Sequence, residues 1–422
     1  MRNLSWQFKL FYTGISGMQN SSVGIDVLSN NIANINTVGF RGYETEFSSM
    51  FEEAISTGTA SAGSIGNGVQ VQTTSMMRDQ GTLAPSDRST DLAILGEGWF
   101  GVSGEGDPLY TRDGSFGFDS NSDLVTSDGF YVLGTKANNI SADNVLTNKV
   151  DEVLLSSVAA QEKLRFPKTL TYPAEATTEA KFLGNLGVGV EPITMSAAVV
   201  DPLGNKNQLR LEFVKDAVQV PPGNQYTLTA TTQSLDGLTI YDTQVGQVEF
   251  DETGALSSNT LTSINNNGAN VAIDLGQGFD GVVSIDLPLV SASSIANGTI
   301  GGDLVGYSIN RNAEVIATFT NGEQSSVGKI AVFHFQNEQG LDRVSGTRFS
   351  ASSNSGEALF RQDANGNSIN GTEVVNYSLE GSNVELSYGL TELIILQRSY
   401  DANSKSITTA DEMMQKALTM SA

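Results

Sequence analysis

The chain has 422 residues and a formal net charge of −24, with one His, no Cys, 44 Gly and only 17% charged residues. That length allows two or three domains with their own cores. The missing cysteine excludes disulfides, thiol catalysis and cysteine-based metal sites, and the acidic balance excludes non-specific nucleic-acid binding, because phosphates would be repelled.

Charge is spread unevenly. Residues 1–50 set Arg2, Lys9 and Arg41 against Asp26, Glu44 and Glu46 and balance to zero; residues 386–422 net −1, which leaves −23 for the middle. Neutral, apolar ends around an acidic centre predict that the ends bury one another while the centre faces water.

The chain opens on MRNLSWQFKLFYTGISGM, where Lys9, Thr13 and Ser16 break the apolar stretch too often for a secretory segment. No window of 18 apolar residues exists, so no membrane insertion is expected. If the protein leaves the cell, it is expected to do so without a cleaved signal peptide. Apolar residues then repeat at seven, with Phe11, Met18, Ile25 and Ile32 in one row and Gly14, Ser21, Leu28 and Ile35 three residues later, which predicts a coiled-coil-like helix. Gly14, Gly17 and Gly24 each cost about 1 kcal/mol of helix propensity, so this helix is expected to melt without a partner. Its last turns, SNNIANINTVGF at 29–40, hold Asn30, Asn31, Asn34 and Asn36, whose amides compete for backbone hydrogen bonds. Gly39 is expected at the left-handed position past the helix, with Phe40 folded back as a Schellman cap requires.

Residues 56–68, STGTASAGSIGNG, read as a flexible linker or loop. From residue 69 the pattern turns to short strands, among them VQVQTT, DLAILG, DGFYVLG, NQLRLEFV, YTLTATT, EVIATFTNG and GKIAVFHFQN, separated by Gly, Asn and Asp turns. The carboxy terminus returns to period seven. Leu386, Leu393, Tyr400, Ile407 and Met414 form one row, and Gly389, Leu396, Asn403, Ala410 and Ala417 the other. Two such helices at opposite ends are natural partners, although each would also satisfy its pattern by packing on a globular core. The fold class expected is α+β multidomain: paired N- and C-terminal coiled-coil-like helices with central all-β, sandwich or barrel-like domains.

Little supports catalysis. His334 stands between Phe333 and Phe335 in a strand, and no G-x-S-x-G nucleophile motif accompanies it. Asp119 with Asp123, and Asp251 with Glu252, read as turn residues rather than acid–base pairs. DSNSD at 119–123 and DANGN at 363–367 lack the bidentate Glu that ends a calcium loop. GEGWFGVSGEG at 96–106 lacks the Lys and helix of a phosphate-binding loop. No catalytic residue, cofactor or dedicated metal site is expected.

Three blocks resemble the flagellar rod and hook family. GISGMQNSSVGIDVLSNNIANINTVGFRGYETEF at 14–47 is similar to its amino-terminal signature, with the NNIAN-x-x-T-x-GF core intact. DLAILGEGWFGV at 91–102, YTRDGSFGFD at 110–119 and LVTSDGFYVLG at 124–134 resemble its β-domain signature, although the turn Ser120–Asp123 lacks the Gly commonly found there. LEGSNVELSYGLTELIILQRSYDANSKSITTADEMMQKAL at 379–418 resembles its carboxy-terminal helix. In the middle, AVVDPLGNKNQLRLEFVK at 198–215 and GQVEFDETGALS at 246–257 are similar to the extra outer domain of the hook members. These segments fall in order between residues 14 and 418.

The resemblance implies a tube of identical subunits lined by terminal helices, with β domains outside. It places a self-assembly interface on Met18, Ile25, Leu28, Ile32 and Ile35, with the amides of Asn30, Asn31 and Asn34 fixing register against adjacent helices or loops. Leu386, Leu393, Leu396, Tyr400, Asn403, Ile407 and Met414 are the matching set on the last helix. Four domains are expected: 1–40 with 385–422; a connector of 41–80 with 372–384; a middle β domain of 81–178 with 304–371; and an outer β domain at 179–303. The implied role is an extracellular universal joint passing torque from rod to filament. Implied partners are copies of itself, the distal rod protein, the hook cap, the hook–filament junction proteins and the type III flagellar export apparatus. The alternatives are a distal rod subunit of the same apparatus, or a secreted β-rich enzyme or glycan-binding module.

Overall fold

The computed structural model describes residues 2–51, 66–219, 223–287 and 293–421. Most of the expected linker, 56–65, lies outside them. Helix α1 (Arg2–Ala33) and helix α2 (Leu386–Ser421) come from opposite ends of the chain and pack on each other. Their register is antiparallel: Gly14 faces Ile407, Gly17 faces Asn403, Gly24 faces Leu396 and Gly389 faces Ile32. The pairing of the termini around central β-sheets is the architecture the sequence predicts.

Helix α1 stops sooner than the sequence suggests. The Asn34 N–H is shared between the carbonyls of Asn30 and Asn31 (3.2 and 3.1 Å), and Thr37 N–H then reaches Asn34 O at 3.1 Å, so the last turn tightens into a series of turns. The cap assigned to Gly39 and Phe40 is therefore corrected. Gly39 does have φ +67°, but it donates to Glu380 O at 2.7 Å rather than to a helix carbonyl. A side chain there would strike the backbone of Asp113. Phe40 is buried, with the Arg343 guanidinium 5.0 Å above its ring.

The chain next forms an antiparallel ribbon of β1 (Tyr43–Phe51) and β2 (Gly66–Met76), with Tyr43 opposite Met76. The ribbon lies along α1. Beyond it the outgoing and returning chains travel together: Leu83–Pro85 pairs with Ser378–Glu380, and Leu92–Leu95 with Glu373–Asn376. The second pairing puts Val374 in the core of the first β body, although the sequence reading assigns 372–384 to the connector.

That first body is built on a 13-stranded sheet. Its strand Trp99–Ser103 alternates, sending Phe100 and Val102 into one core and Trp99 into a second cluster with Tyr110, Phe333 and Phe349 on the opposite face. The second body stacks a five-stranded antiparallel meander, from Ile193–Val200 to Leu256–Asn259, on a six-stranded sheet. Phe182, Phe213, Leu228 and Val271 fill the space between them. Two chain segments join the bodies, and there Glu175 and Thr299 exchange both backbone hydrogen bonds (2.8 and 3.0 Å).

Candidate assembly interface

The helix pair is where the predicted interface residues gather, but α1 is rotated from the expected seam. Leu28 and Ser21 are buried against α2, whereas Met18, Ile25, Ile32 and Ile35 are only half-buried. The second buried row is Gly17, Gly24 and Asn31. A Cβ on Gly17 would sit 2.5 Å from Asn403 Nδ2, and one on Gly24 2.7 Å from Leu396 Cδ1. The glycines that weaken α1 alone thus let the two backbones approach. Hydrophobic periodicity follows Ile and Met, so it misses a contact made by residues with no side chain.

On α2, Leu396, Asn403 and Ile407 meet α1, and Leu393 and Met414 are half-buried on the same side. Leu386 and Tyr400 do not belong to that seam, being 46% and 37% exposed. The side chain of Ala417 lies outside the described residues.

The asparagines divide too. Asn31 is 1% exposed; its Nδ2 donates to Tyr43 O at 2.7 Å and its Oδ1 accepts from Tyr43 N–H at 3.0 Å. The amide acts as one more peptide unit on the edge of the ribbon. Asn20, absent from the sequence reading, does the same for β2, donating to Val69 O and accepting from Val71 N–H, both at 2.6 Å. Its signal was its spacing, since eleven residues, about three turns, place it on the Asn31 face. Asn34 bonds locally, its Nδ2 donating to Asn30 O at 2.8 Å, and Asn30 and Asn36 are exposed.

Outside its seam with α1, α2 is unusually apolar on two faces. Leu386, Tyr388, Leu390, Ile394 and Ile395 are 44% to 57% exposed, the kind of surface that marks a contact with another molecule. At the base of the helix pair sits a buried charge cluster. Glu380 Oε1 lies 3.1 Å from Arg41 Nη2, and its Oε2 lies 3.2 Å from Arg112 Nη1. Arg41 also donates to Asp79 O and Arg112 to Gly96 O. Burial pulls the Arg112 guanidinium down to about 10, and the Glu380 carboxylate opposes that shift. The three residues come from the segment leaving α1, the first β body and the segment entering α2, so they tie the helix pair to the β-sheet.

The other candidate groups have structural roles. His334 is buried, and its Nε2 donates to Asn370 O at 2.6 Å. Asp119 Oδ1 accepts from Asn121 and Asp123 N–H (2.7 and 2.9 Å), and Asp363 Oδ1 from Asn365 and Asn367 N–H (both 2.8 Å). Asp251 repeats the device with Thr253 and Ala255. These carboxylates hold hairpin turns. No described helix is long and apolar enough to cross a membrane.

Two β bodies strung on an out-and-back chain, with both termini joined in a helix pair that bares an apolar side, define a structural subunit. Comparison with known proteins specifies which. Family models match in order: the flagella basal body rod protein at 11–41, the flagellar hook protein FlgE/F/G D1 domain at 93–165, the flagellar basal body protein FlaE D2 domain at 193–319, and the flagellar basal body rod FlgEFG protein C-terminal region at 375–420. The flagellar hook protein FlgE of Salmonella typhimurium is 28% identical, with 96% of this chain and 98% of that one aligned. Those of Borreliella burgdorferi and Escherichia coli are 28% and 29% identical over the same shares. The crystal structure of Helicobacter pylori flagellar hook protein FlgE2 matches with a TM-score of 0.51 at 15% identity, covering 70% of this chain and all of that one, and this likeness concerns the fold alone. The chain belongs to the flagellar hook protein FlgE family and is a structural hook subunit, not an enzyme. It self-assembles within the axial structure of the extracellular flagellum.

Proposed function

We propose that this hook subunit polymerises into a flexible helical tube that serves as a universal joint, passing torque from rod to filament. The observation that carries the reading is the exposed apolar side of α2 beside a buried α1–α2 seam, set against a strongly acidic outer part. Residues 179–303, proposed as the outer domain, hold four Lys and Arg against fourteen Asp and Glu. Apolar inner contacts hold neighbours together. Hydrated outer domains repel one another only within about 8 Å at physiological ionic strength, so they slide when a bent tube shortens on one side. The middle domain, 81–178 with 304–371, and the connector would carry force between them.

The interface assigned to the half-buried residues Met18, Ile25, Ile32 and Ile35 and to the exposed Leu386 and Tyr400 belongs to contacts between copies. The distal rod protein, the hook cap and the hook–filament junction proteins are the proposed neighbours at the tube ends. The type III flagellar export apparatus is the proposed route out, which a chain without disulfides suits. Full-length chain grown on hook fragments and viewed by electron cryo-microscopy should give curved tubes with subunit spacing that varies around the circumference. Straight tubes with uniform spacing overturn the joint reading.

A further inference from the structure

The helix pair has two unlike sides. On one, α1 leans on the ribbon through Asn20 and Asn31, and a cavity of about 100 Å³ opens between them, walled by Val27, Phe47, Tyr388 and Leu396 with Glu44 and Glu392 at its margin. Ile395, 53% exposed, lies on the Tyr388 side of α2 because it follows by seven residues. The other side carries a ridge. Leu386, Leu390, Ile394 and Arg398 recur every fourth residue, and the three apolar members are 46%, 44% and 57% exposed. In the antiparallel register the ridge stands level with the half-buried Ile25 and Ile32.

A protruding ridge and a recessed cleft are different surfaces, and a subunit that carries both adds head to tail and leaves a free end after every step. Their charges also match, since the ridge ends on a cation and the cleft is edged by two carboxylates. We propose that the α2 ridge of one copy seats in the ribbon-side cleft of the next, with Ile394 entering the cavity and Arg398 facing Glu44 and Glu392. This pairing rests on the self-assembly of the subunit and specifies which surface meets which.

The test uses full-length chains seeded with hook fragments. Ile394→Asp disables the ridge and leaves the cleft; Tyr388→Asp disables the cleft and leaves the ridge. Each alone should fail to elongate, with the soluble concentration at equilibrium raised at least tenfold over the parent. An equimolar mixture should stop at one-to-one pairs in sedimentation velocity. Because the chain has no Cys, single Ile394→Cys and Tyr388→Cys chains report the contact directly. Mixed and oxidised, they should cross-link, while Ile394→Cys alone should not. Normal elongation by Ile394→Asp, or self-cross-linking by Ile394→Cys, overturns the pairing alone. A parent chain that does not elongate on the seeds overturns the assembly reading as well.

Discussion

The carboxylate of Glu380 lies 3.2 Å from the guanidinium of Arg112, and only 2% of either side chain reaches solvent. With Arg41 on its other oxygen, one anion holds two buried cations. Such a cluster gains little over an apolar replacement, but losing its central member leaves both cations unpaired in a dry site. Glu380→Gln keeps the shape and removes the charge, and it should cost about 3–5 kcal/mol in denaturant unfolding. Adding Arg112→Met should restore part of the loss. A Glu380→Gln protein as stable as the parent would mean that solvent reaches the cluster.

Asn31 should behave as part of the ribbon. In Asn31→Ala the Tyr43 N–H and C=O both lose their partner at a position 1% exposed. Leaving a buried backbone group unmade costs about 1–3 kcal/mol. Hydrogen exchange at the Tyr43 amide should rise sharply while exchange in the strand Trp99–Ser103 stays unchanged. Unaltered protection at Tyr43 would place the hold on β1 elsewhere.

Much of this architecture is legible in the residues. Period seven at both ends points to the paired helices, and alternating strands between Gly and Asn turns point to the β bodies. Three features stay hidden for physical reasons. The strand YETEFSSMF alternates Tyr43, Thr45 and Phe47 with Glu44 and Glu46 for only five residues before Ser48 and Ser49 interrupt it, too short a run to stand out beside the helix, so β1 is passed over. The α1 seam is lined by glycines, which contribute contact by absence. The Glu380 cluster joins residues 268 positions apart in sequence for Arg112, and no local pattern announces such a meeting.

The glycine row supplies its own prediction. Gly17→Val would gain only a few tenths of a kcal/mol in helix propensity and would press a branched side chain into Asn403, already 2.5 Å from an ideal Cβ. Overpacking of this kind costs about 1–3 kcal/mol. Helical ellipticity should melt at lower denaturant than the β signal, because α1 and α2 separate first. Coincident transitions would show that the helix pair absorbs the added bulk.

His334 should make stability fall in acid. Burial holds its pKa below the usual imidazole value, although the hydrogen bond to Asn370 O works the other way. The folded state then binds fewer protons than the unfolded state. Its contribution is complete above about pH 6.5 and is lost as pH falls toward the depressed value. Buried His334 also faces charges on Arg361, Glu338 and Glu97, and they remain in the variant. His334→Gln keeps a donor for Asn370 O and cannot titrate, so its stability should change less between pH 7 and pH 5 than the parent's. Equal slopes for the two would assign the acid sensitivity to carboxylates.

The turn at 119–123 offers a stabilising change. Asp119, Asp201, Asp251 and Asp363 each cap a hairpin turn by accepting two N–H groups from residues two and four positions on. In three of these turns the fourth residue is glycine with positive φ: Gly204 at +83°, Gly254 at +84° and Gly366 at +85°. In the first it is Ser122 at +63°. A side chain in the left-handed region costs roughly 1–2 kcal/mol, while glycine adds about 0.4–1 kcal/mol of unfolded-state entropy that folding must overcome. Ser122→Gly should therefore stabilise the first β body by about 0.5–1 kcal/mol, seen as a later transition of its β signal in urea. The same replacement at Ala313, φ +59° and fully buried in the core, should fail to stabilise, because there the methyl group has contacts to lose. A destabilised Ser122→Gly would mean that the serine hydroxyl makes contacts outweighing its backbone strain.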